Sequence, residues 1–278
     1  MSSISYAEAV QLSSRVRRVT ARNPGRMTGP GTNTYIVGNE QLAVVDPGPA
    51  IDEHIDALVR ICGDRLRWIL VTHTHRDHSP AARPLAERTG AELVGNVLPS
   101  DGFQDETFMD ARPLAQDDRI NTEEFTLRAL LTPGHVSNHV CYLVEEDGML
   151  MTGEHMMGGS TVVIVPPAGN MRDYIASLER MLAYPLSVVA PGHGELIPQP
   201  AQEIERLIKH RLQRETKVVS ALGQLGPSTL ETLTPHVYDD VDPILHEWAA
   251  RSLHAHLIKL IEDGRANLNG EVWSLQQA

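Results

Sequence analysis

Residues 72–78 read Thr-His73-Thr-His75-Arg-Asp77-His78 and follow directly on the apolar run that starts at Trp68. The stretch Trp68–Thr72 reads as a buried strand, so four candidate ligands fall within six positions at its end. This feature restricts the fold more than any other. Extended alternation after the strand puts His73 and His75 on one side, and Asp77 and His78 can turn toward an adjacent point. Imidazole and carboxylate together suit Zn²⁺, and iron or manganese less exclusively.

Three further strand ends repeat the arrangement. His135 sits in Pro133-Gly134-His135, Glu154 in Thr152-Gly153-Glu154-His155, and His193 in Pro191-Gly192-His193-Gly194. A glycine just before each candidate lets the backbone turn sharply and approach closely. One histidine after a strand is weak evidence alone, but the recurrence of strand, small-residue turn and ligand is not.

The rest of the chain alternates short apolar runs with helical spacing. Thr34–Gly38 and Leu42–Asp46 read as a hairpin, and Ile51–Cys62 as a helix. Ser79 is expected to cap a helix over Ser79–Arg88 with Pro80 in its first turn. Phe125–Thr132, Val140–Val144, Met149–Thr152 and Ser187–Ala190 read as strands, and Met171–Leu182 as a helix. Strands dominate both halves with helices between them, so the expected class is α/β, a four-layer αβ/βα sandwich. After Pro198-Gln199-Pro200 come helices over Gln202–Leu222, Ser228–Tyr238 and Pro243–Glu262. They precede a strand, an Asn-Gly turn and a second strand over Ala266–Leu275, a winged-helix layout. The expected domains are 1–199 and 200–278.

In their order, THTHRDH, PGH, TGE and PGHG resemble the metallo-β-lactamase superfamily of binuclear metallohydrolases. The stretch Asn23–Gly38 and the appended winged helix resemble the β-lactamase-like protein 2 and glyoxalase II-like group within it. The resemblance implies that His73, His75 and His135 hold one metal, and that Asp77, His78 and His193 hold a second. It places the bridging carboxylate at Glu154, where the family normally has Asp. It implies two divalent metals, zinc first, with iron or manganese as alternatives. The implied reaction is attack of a metal-bridging hydroxide on an ester-type bond, a thioester or a phosphodiester. One animal relative in this group is a single-strand endoribonuclease, so that activity is the alternative. A non-catalytic metal-binding scaffold is the other.

No convincing serine or cysteine nucleophile is visible. Cys62 lies in a helical pattern and Cys141 in a strand, which makes both core residues and gives no disulfide framework. Asp77 is expected to accept the nucleophile's hydrogen bond as well as to ligate. His139 is the candidate proton donor to the leaving group, or else a residue that orients His135, and His155 is second. Arg76 is expected to point outward.

Charge and composition bear on the substrate. The formal net charge is −12, which argues against indiscriminate polyanion binding. Arg206, Lys209, His210, Arg214 and Lys217 recur at helical spacing. They read either as a stripe for an anionic substrate or as a face neutralised by Glu203, Glu205 and Glu215. Residues 201–278 carry 8 Lys plus Arg against 11 Asp plus Glu, and Pro243–Glu262 offers only Arg251 and Lys259. Duplex DNA is therefore not an expected partner. His246, His254 and His256 are expected to be exposed or interfacial. Aromatics make up 4% of the chain, which mildly disfavours single-stranded RNA. The glycine-rich and apolar stretch Gly158–Pro167 is expected to edge a cleft that suits an acyl or thioester group. The expected partner is an anionic or acyl-type small molecule, or single-stranded RNA, with a homodimer through the C-terminal helices. No apolar run spans a bilayer and the N-terminus does not read as a signal peptide, so a cytoplasmic location is expected and antibiotic hydrolysis comes a poor third.

Overall fold

The computed structural model describes residues 6–98 and 102–276. The chain forms two compact units, each discontinuous in sequence. The first comprises 1–132, 138–160 and 185–200; the second comprises 133–137, 161–184 and 201–278.

The first unit contains two sheets. One runs β1 (Val10–Gln11), β2 (Val16–Thr20), β3 (Asn33–Val37), β4 (Leu42–Val45), β5 (Leu66–Leu70) and β6 (Glu92–Val94), in that order. Its last three strands are parallel. The helices α1 (Asp52–Cys62) and α2 (Ala82–Thr89) supply the crossovers that parallel strands need. The second sheet contains β7 (Arg119–Asn121), β8 (Thr126–Leu131), β9 (Val140–Val144), β10 (Met149–Gly153) and β11 (Val188–Pro191), and β11 lies beside β10 in parallel.

Alternation along the strands sorts the side chains into two cores. Val37, Val45, Leu70, Val140, Tyr142 and Met151 come from both sheets and form one cluster. Ile36, Val44, Ile69, Leu58, Cys62 and Leu85 form another, in which α1 and α2 cover the outer face of the first sheet. Each fully buried aliphatic side chain contributes about 1.5–3 kcal/mol. A face covered on both sides explains why β3 and β4 are buried at every position. Within this unit the layers are therefore helix, sheet and sheet.

Two local expectations fail here. The helix expected to start at Ser79 begins at Ala82, and its cap position Ala81 makes no side-chain cap bond. The Ser79 hydroxyl instead donates to Asp105 Oδ2 at 2.7 Å, so it cannot serve the helix terminus. The strand expected to reach Thr72 ends at Leu70, because the Thr72 N–H leaves the ladder for Asp46 Oδ1.

The second unit holds α3 (Met171–Met181), α4 (Pro200–Leu225), α5 (Leu230–Val237), α6 (His246–Glu262) and the hairpin β12 (Ala266–Asn269) and β13 (Val272–Leu275). Asn170 caps α3 and Thr229 caps α5, each by accepting from a backbone N–H in the first turn. Val218, Leu222, Leu233, Leu253, Leu257 and Trp273 form its core. The segment Pro243–Leu245 is a 3₁₀ turn rather than the start of the long helix. His256 is fully buried, where an exposed or interfacial position was expected. It lies at helical spacing with Leu253, Leu257 and Leu260 on the covered face of α6. No helix among the described residues is long and apolar enough to cross a membrane.

Candidate metal centre

The loop after β5 carries His73 and His75, whose ring nitrogens Nε2 and Nδ1 lie 3.0 Å apart. The backbone of the pair is fixed by a bridge from His75 to Gln104, and Thr74 donates its hydroxyl to Gln104 Oε1 at 2.6 Å. Two residues on, Asp77 Oδ2 lies 3.5 Å from His78 Nε2 and 3.1 Å from His193 Nε2. Arg76 between them is exposed, as expected.

Glu154 follows β10 at a point where the pairing with β11 shifts register. Gly153 has φ +47, and a Cβ there would overlap the Thr72 hydroxyl, so only glycine lets this strand end lie against the histidine loop. The carboxylate of Glu154 faces both ways. Its Oε2 lies 4.0 Å from His73 Nε2 and 3.9 Å from His75 Nδ1, and its Oε1 lies 3.2 Å from His193 Nε2. Asp77, His78, Glu154 and His193 each offer a ligand atom, all within 4.8 Å of one another, and His73, His75 and Glu154 satisfy the same limit. His78 Nε2 is buried and has no hydrogen-bond partner among the described residues. A buried imidazole nitrogen aimed at a carboxylate and a second imidazole fits a divalent cation, so the donor set suits such a metal.

Residues not singled out in the sequence hold these rings in place. Asp46, 2% exposed, accepts from Thr72 N at 2.7 Å, from the Thr72 hydroxyl at 2.8 Å and from His78 Nδ1 at 2.8 Å. Because a carboxylate only accepts, His78 carries its proton on Nδ1 and turns the lone pair of Nε2 toward Asp77. Asn33 straps the His193 turn by donating to Pro191 O and Gly194 O, and the Tyr35 hydroxyl donates to Pro191 O. His193 Nδ1 meets Gly31 O at 3.2 Å.

The electrostatics follow from the crowding. Burial opposes charge on His193, but its hydrogen bonds to Asp77 and Glu154 and the charge of both outweigh that and push its pKa up to about 10. Burial likewise opposes the charge on His78, and Asp77 and Asp46 raise it nonetheless. Burial favours a neutral Asp77, yet the charge of His78 and the hydrogen bond from His193 hold its pKa below the usual carboxylate value. Converging carboxylates thus demand positive charge at this point.

Residues 27–193 match the metallo-beta-lactamase superfamily, and residues 229–273 match the beta-lactamase associated winged helix domain. The chain belongs to the metallo-beta-lactamase superfamily. It is 34% identical over 216 residues to the thioesterase pkgB of Emericella nidulans, a match covering 76% of this chain and 60% of that protein's length. It is 31% identical over 283 residues to the beta-lactamase-like protein 2 homolog of Drosophila melanogaster, covering 93% of this chain and 92% of that one. Its fold matches the crystal structure of a metallo-beta-lactamase family protein from Thermus thermophilus with a TM-score of 0.79 at 21% identity, over 95% and 100% of the two chains. The α/β metallo-beta-lactamase fold and the C-terminal winged helix agree with the sequence expectation, and the chain is a hydrolase of that superfamily.

The remaining candidates lie on other parts of the chain. His135 lies in the short segment 133–137 of the second unit, where its Nδ1 meets Val163 O at 2.9 Å. His139 is 1% exposed, with its ring stacked on His73 at a centroid distance of 5.1 Å and its Nδ1 2.9 Å from the Thr132 hydroxyl. His155 is fully buried beside it, with ring centroids 5.6 Å apart. Cys62 and Cys141 are buried free thiols, as the core reading requires. The cationic stripe on α4 is largely engaged. Arg206 pairs with Glu203, Arg214 with Asp240 and Lys217 with Asp239, and Arg214 is buried.

Proposed function

We propose that this protein is a two-metal hydrolase that cleaves an acyl thioester. The observation that carries the two-metal reading is the orientation of Glu154, one oxygen toward His73 and His75 and the other toward His193. The added methylene of Glu, compared with the family's usual Asp, suits a carboxylate that reaches between two sets. In this reading His135 joins His73 and His75 around one cation, and Asp77, His78 and His193 surround the other. Zinc suits the imidazole-rich set best, with iron or manganese as alternatives. When bound, such cations supply Lewis-acid activation of a water and of the substrate oxygen.

The chain's own groups then have separate tasks. Asp77 orients the attacking water by accepting its hydrogen bond, and Asp46 keeps His78 in the ligating tautomer. The water oxygen forms a carbon–oxygen bond and the carbon–sulfur bond breaks, so the products are a carboxylate and a thiolate and the two protons of the water pass to solvent. A thiolate, with a thiol pKa near ~8.5, needs far less protonation than an alkoxide. This matters because His139 and His155 are both buried. We assign His139 to packing behind His73 and not to proton donation. An RNA sugar oxygen would need such a donor, and most of the cations on α4 are already paired with carboxylates. The name of the Emericella relative supports the same substrate class. Buried free thiols suit a cytoplasmic setting. A homodimer through the C-terminal helices belongs to the same proposal, and light scattering would detect it.

The test compares thiol release from an acyl-thioester with cleavage of a labelled single-stranded RNA, using zinc-loaded protein and the His73→Ala/His75→Ala double variant. Thiol release that is absent from the variant is expected. RNA cleavage without thiol release would replace the thioesterase reading with a nuclease, and full activity in the double variant would sink both.

A further inference from the structure

Within the second unit, Arg211 on α4 is 3% exposed and makes no salt bridge with any described residue. A buried cation without a carboxylate is costly, and an apolar side chain would fill the same space more cheaply. Its Nη2 donates to Val162 O at 2.5 Å, its guanidinium lies 5.2 Å over the Tyr174 ring, and its Nε has no hydrogen-bond partner among the described residues.

What Arg211 grips explains its presence. Val162 is followed by Val163, whose carbonyl receives His135 Nδ1. The opposite side of the His135 turn is clamped by the same Tyr174 helix. Asn170 N donates to Gly134 O and Ser177 Oγ donates to Pro133 O, both at 2.8 Å. A Cβ on Gly134 would overlap Tyr174 Cα, so the turn lies directly on that helix. Arg211 therefore touches both walls that hold His135: the Val162–Val163 segment by hydrogen bond and α3 through the Tyr174 ring.

We propose that Arg211 is a positioning residue for His135, fixing the Val162–Val163 backbone so that the Val163 carbonyl keeps the imidazole proton on Nδ1 and its lone pair on Nε2. The long helix that begins the C-terminal module thereby tunes a metal ligand instead of only appending a domain. This rests on the reading of His135 as a ligand in the proposed function.

The experiment uses the full chain and measures zinc affinity by chelator competition and stoichiometry for the wild type, Arg211→Met, Arg211→Lys and His135→Ala. Circular dichroism and the His135 nitrogen shifts, read by long-range ¹H–¹⁵N correlation in apo-protein, accompany it. Loss of a partner bonded directly to a ligand typically lowers metal affinity ~10–100-fold, and Arg211 acts one step beyond that partner, so the lower end of the range, ~10-fold, applies. Arg211→Met is expected to weaken one of two zinc ions by that factor and to mix the His135 tautomers, with unchanged circular dichroism. Arg211→Lys, which keeps a donor, is expected to recover part of the affinity. If His135→Ala loses one zinc while Arg211→Met binds both as the wild type does with an unmixed tautomer, the positioning role is overturned. It is overturned equally if Arg211→Met unfolds and Arg211→Lys folds but shows no change at His135. If His135→Ala keeps both ions at full affinity, the ligand reading itself fails.

Discussion

Replacing Asp46 by Asn separates the two tasks of a buried carboxylate. In the wild type, Oδ1 accepts from Thr72 N, while Oδ2 accepts from both the Thr72 hydroxyl and His78 Nδ1. An amide can preserve the first bond through its oxygen, but its NH₂ then stands where Oδ2 stood. Two hydrogens now point at His78 Nδ1 and the Thr72 hydroxyl, so Nδ1 must accept and the imidazole proton moves to Nε2. A protonated Nε2 cannot ligate. The fold should survive, because most of the hydrogen bonds can re-form, at a cost of about 1–3 kcal/mol. The Ala variant is the contrast: three donors lose their acceptor in a site 2% exposed, for a total of about 3–9 kcal/mol, a large part of a typical domain's stability. The assay is ¹H–¹⁵N correlation on His78 together with metal stoichiometry. The Asn variant should show the Nε2–H tautomer and at least ~10-fold weaker binding of one metal. An Asn variant that binds both metals as the wild type does, with the proton still on Nδ1, would refute the reasoning.

Other consequences follow from the same contacts. Gly153→Ala should cost about 2–4 kcal/mol in denaturant unfolding and weaken metal binding, since the new Cβ meets Thr72 at a left-handed backbone position; wild-type stability would show that the strand end has room. Glu154→Asp should retain both metals and Glu154→Ala should drop to one, checked by metal analysis. The hydrogen bond from Arg214 holds the Asp240 carboxyl down to about 2 from an ordinary value of 3.8. That contribution is complete above the ordinary value and is lost as pH falls through about 2. Because the Asp240 side chain is 54% exposed, solvent screening limits it to at most ~1 kcal/mol. Acid unfolding of Asp240→Asn should therefore differ from the wild type only slightly, and only above that window.

The candidate cluster was legible because its chemistry is local: four possible ligands within six residues after a strand, and three turns in which a glycine precedes a polar residue. The residues that hold these candidates in place were not. Asp46 stands just before Pro47-Gly48, where an aspartate looks like any turn residue, and its partners at 72 and 78 are distant in sequence. Asn33 is polar yet buried in β3, a pattern that reads as ordinary strand until the His193 turn is seen across from it. Ser79 misled because its hydroxyl is taken by Asp105, a tertiary partner that outcompetes the helix cap. Arg211 and Arg214 belong to the buried side of α4, with Val218 next along it, so a charge count alone overstated the cations available to a substrate. His256 was misjudged in the same way, as a titratable residue on an apolar stripe.

The central claim is that one carboxylate, Glu154, serves two metals. The most direct measurement is the number of zinc ions per chain, by mass spectrometric metal analysis after reconstitution and desalting. The account predicts two per chain in the wild type and a loss of bound metal in the His73→Ala/His75→Ala variant. A single ion in the wild type, unchanged when Glu154 is replaced by Ala, would contradict it.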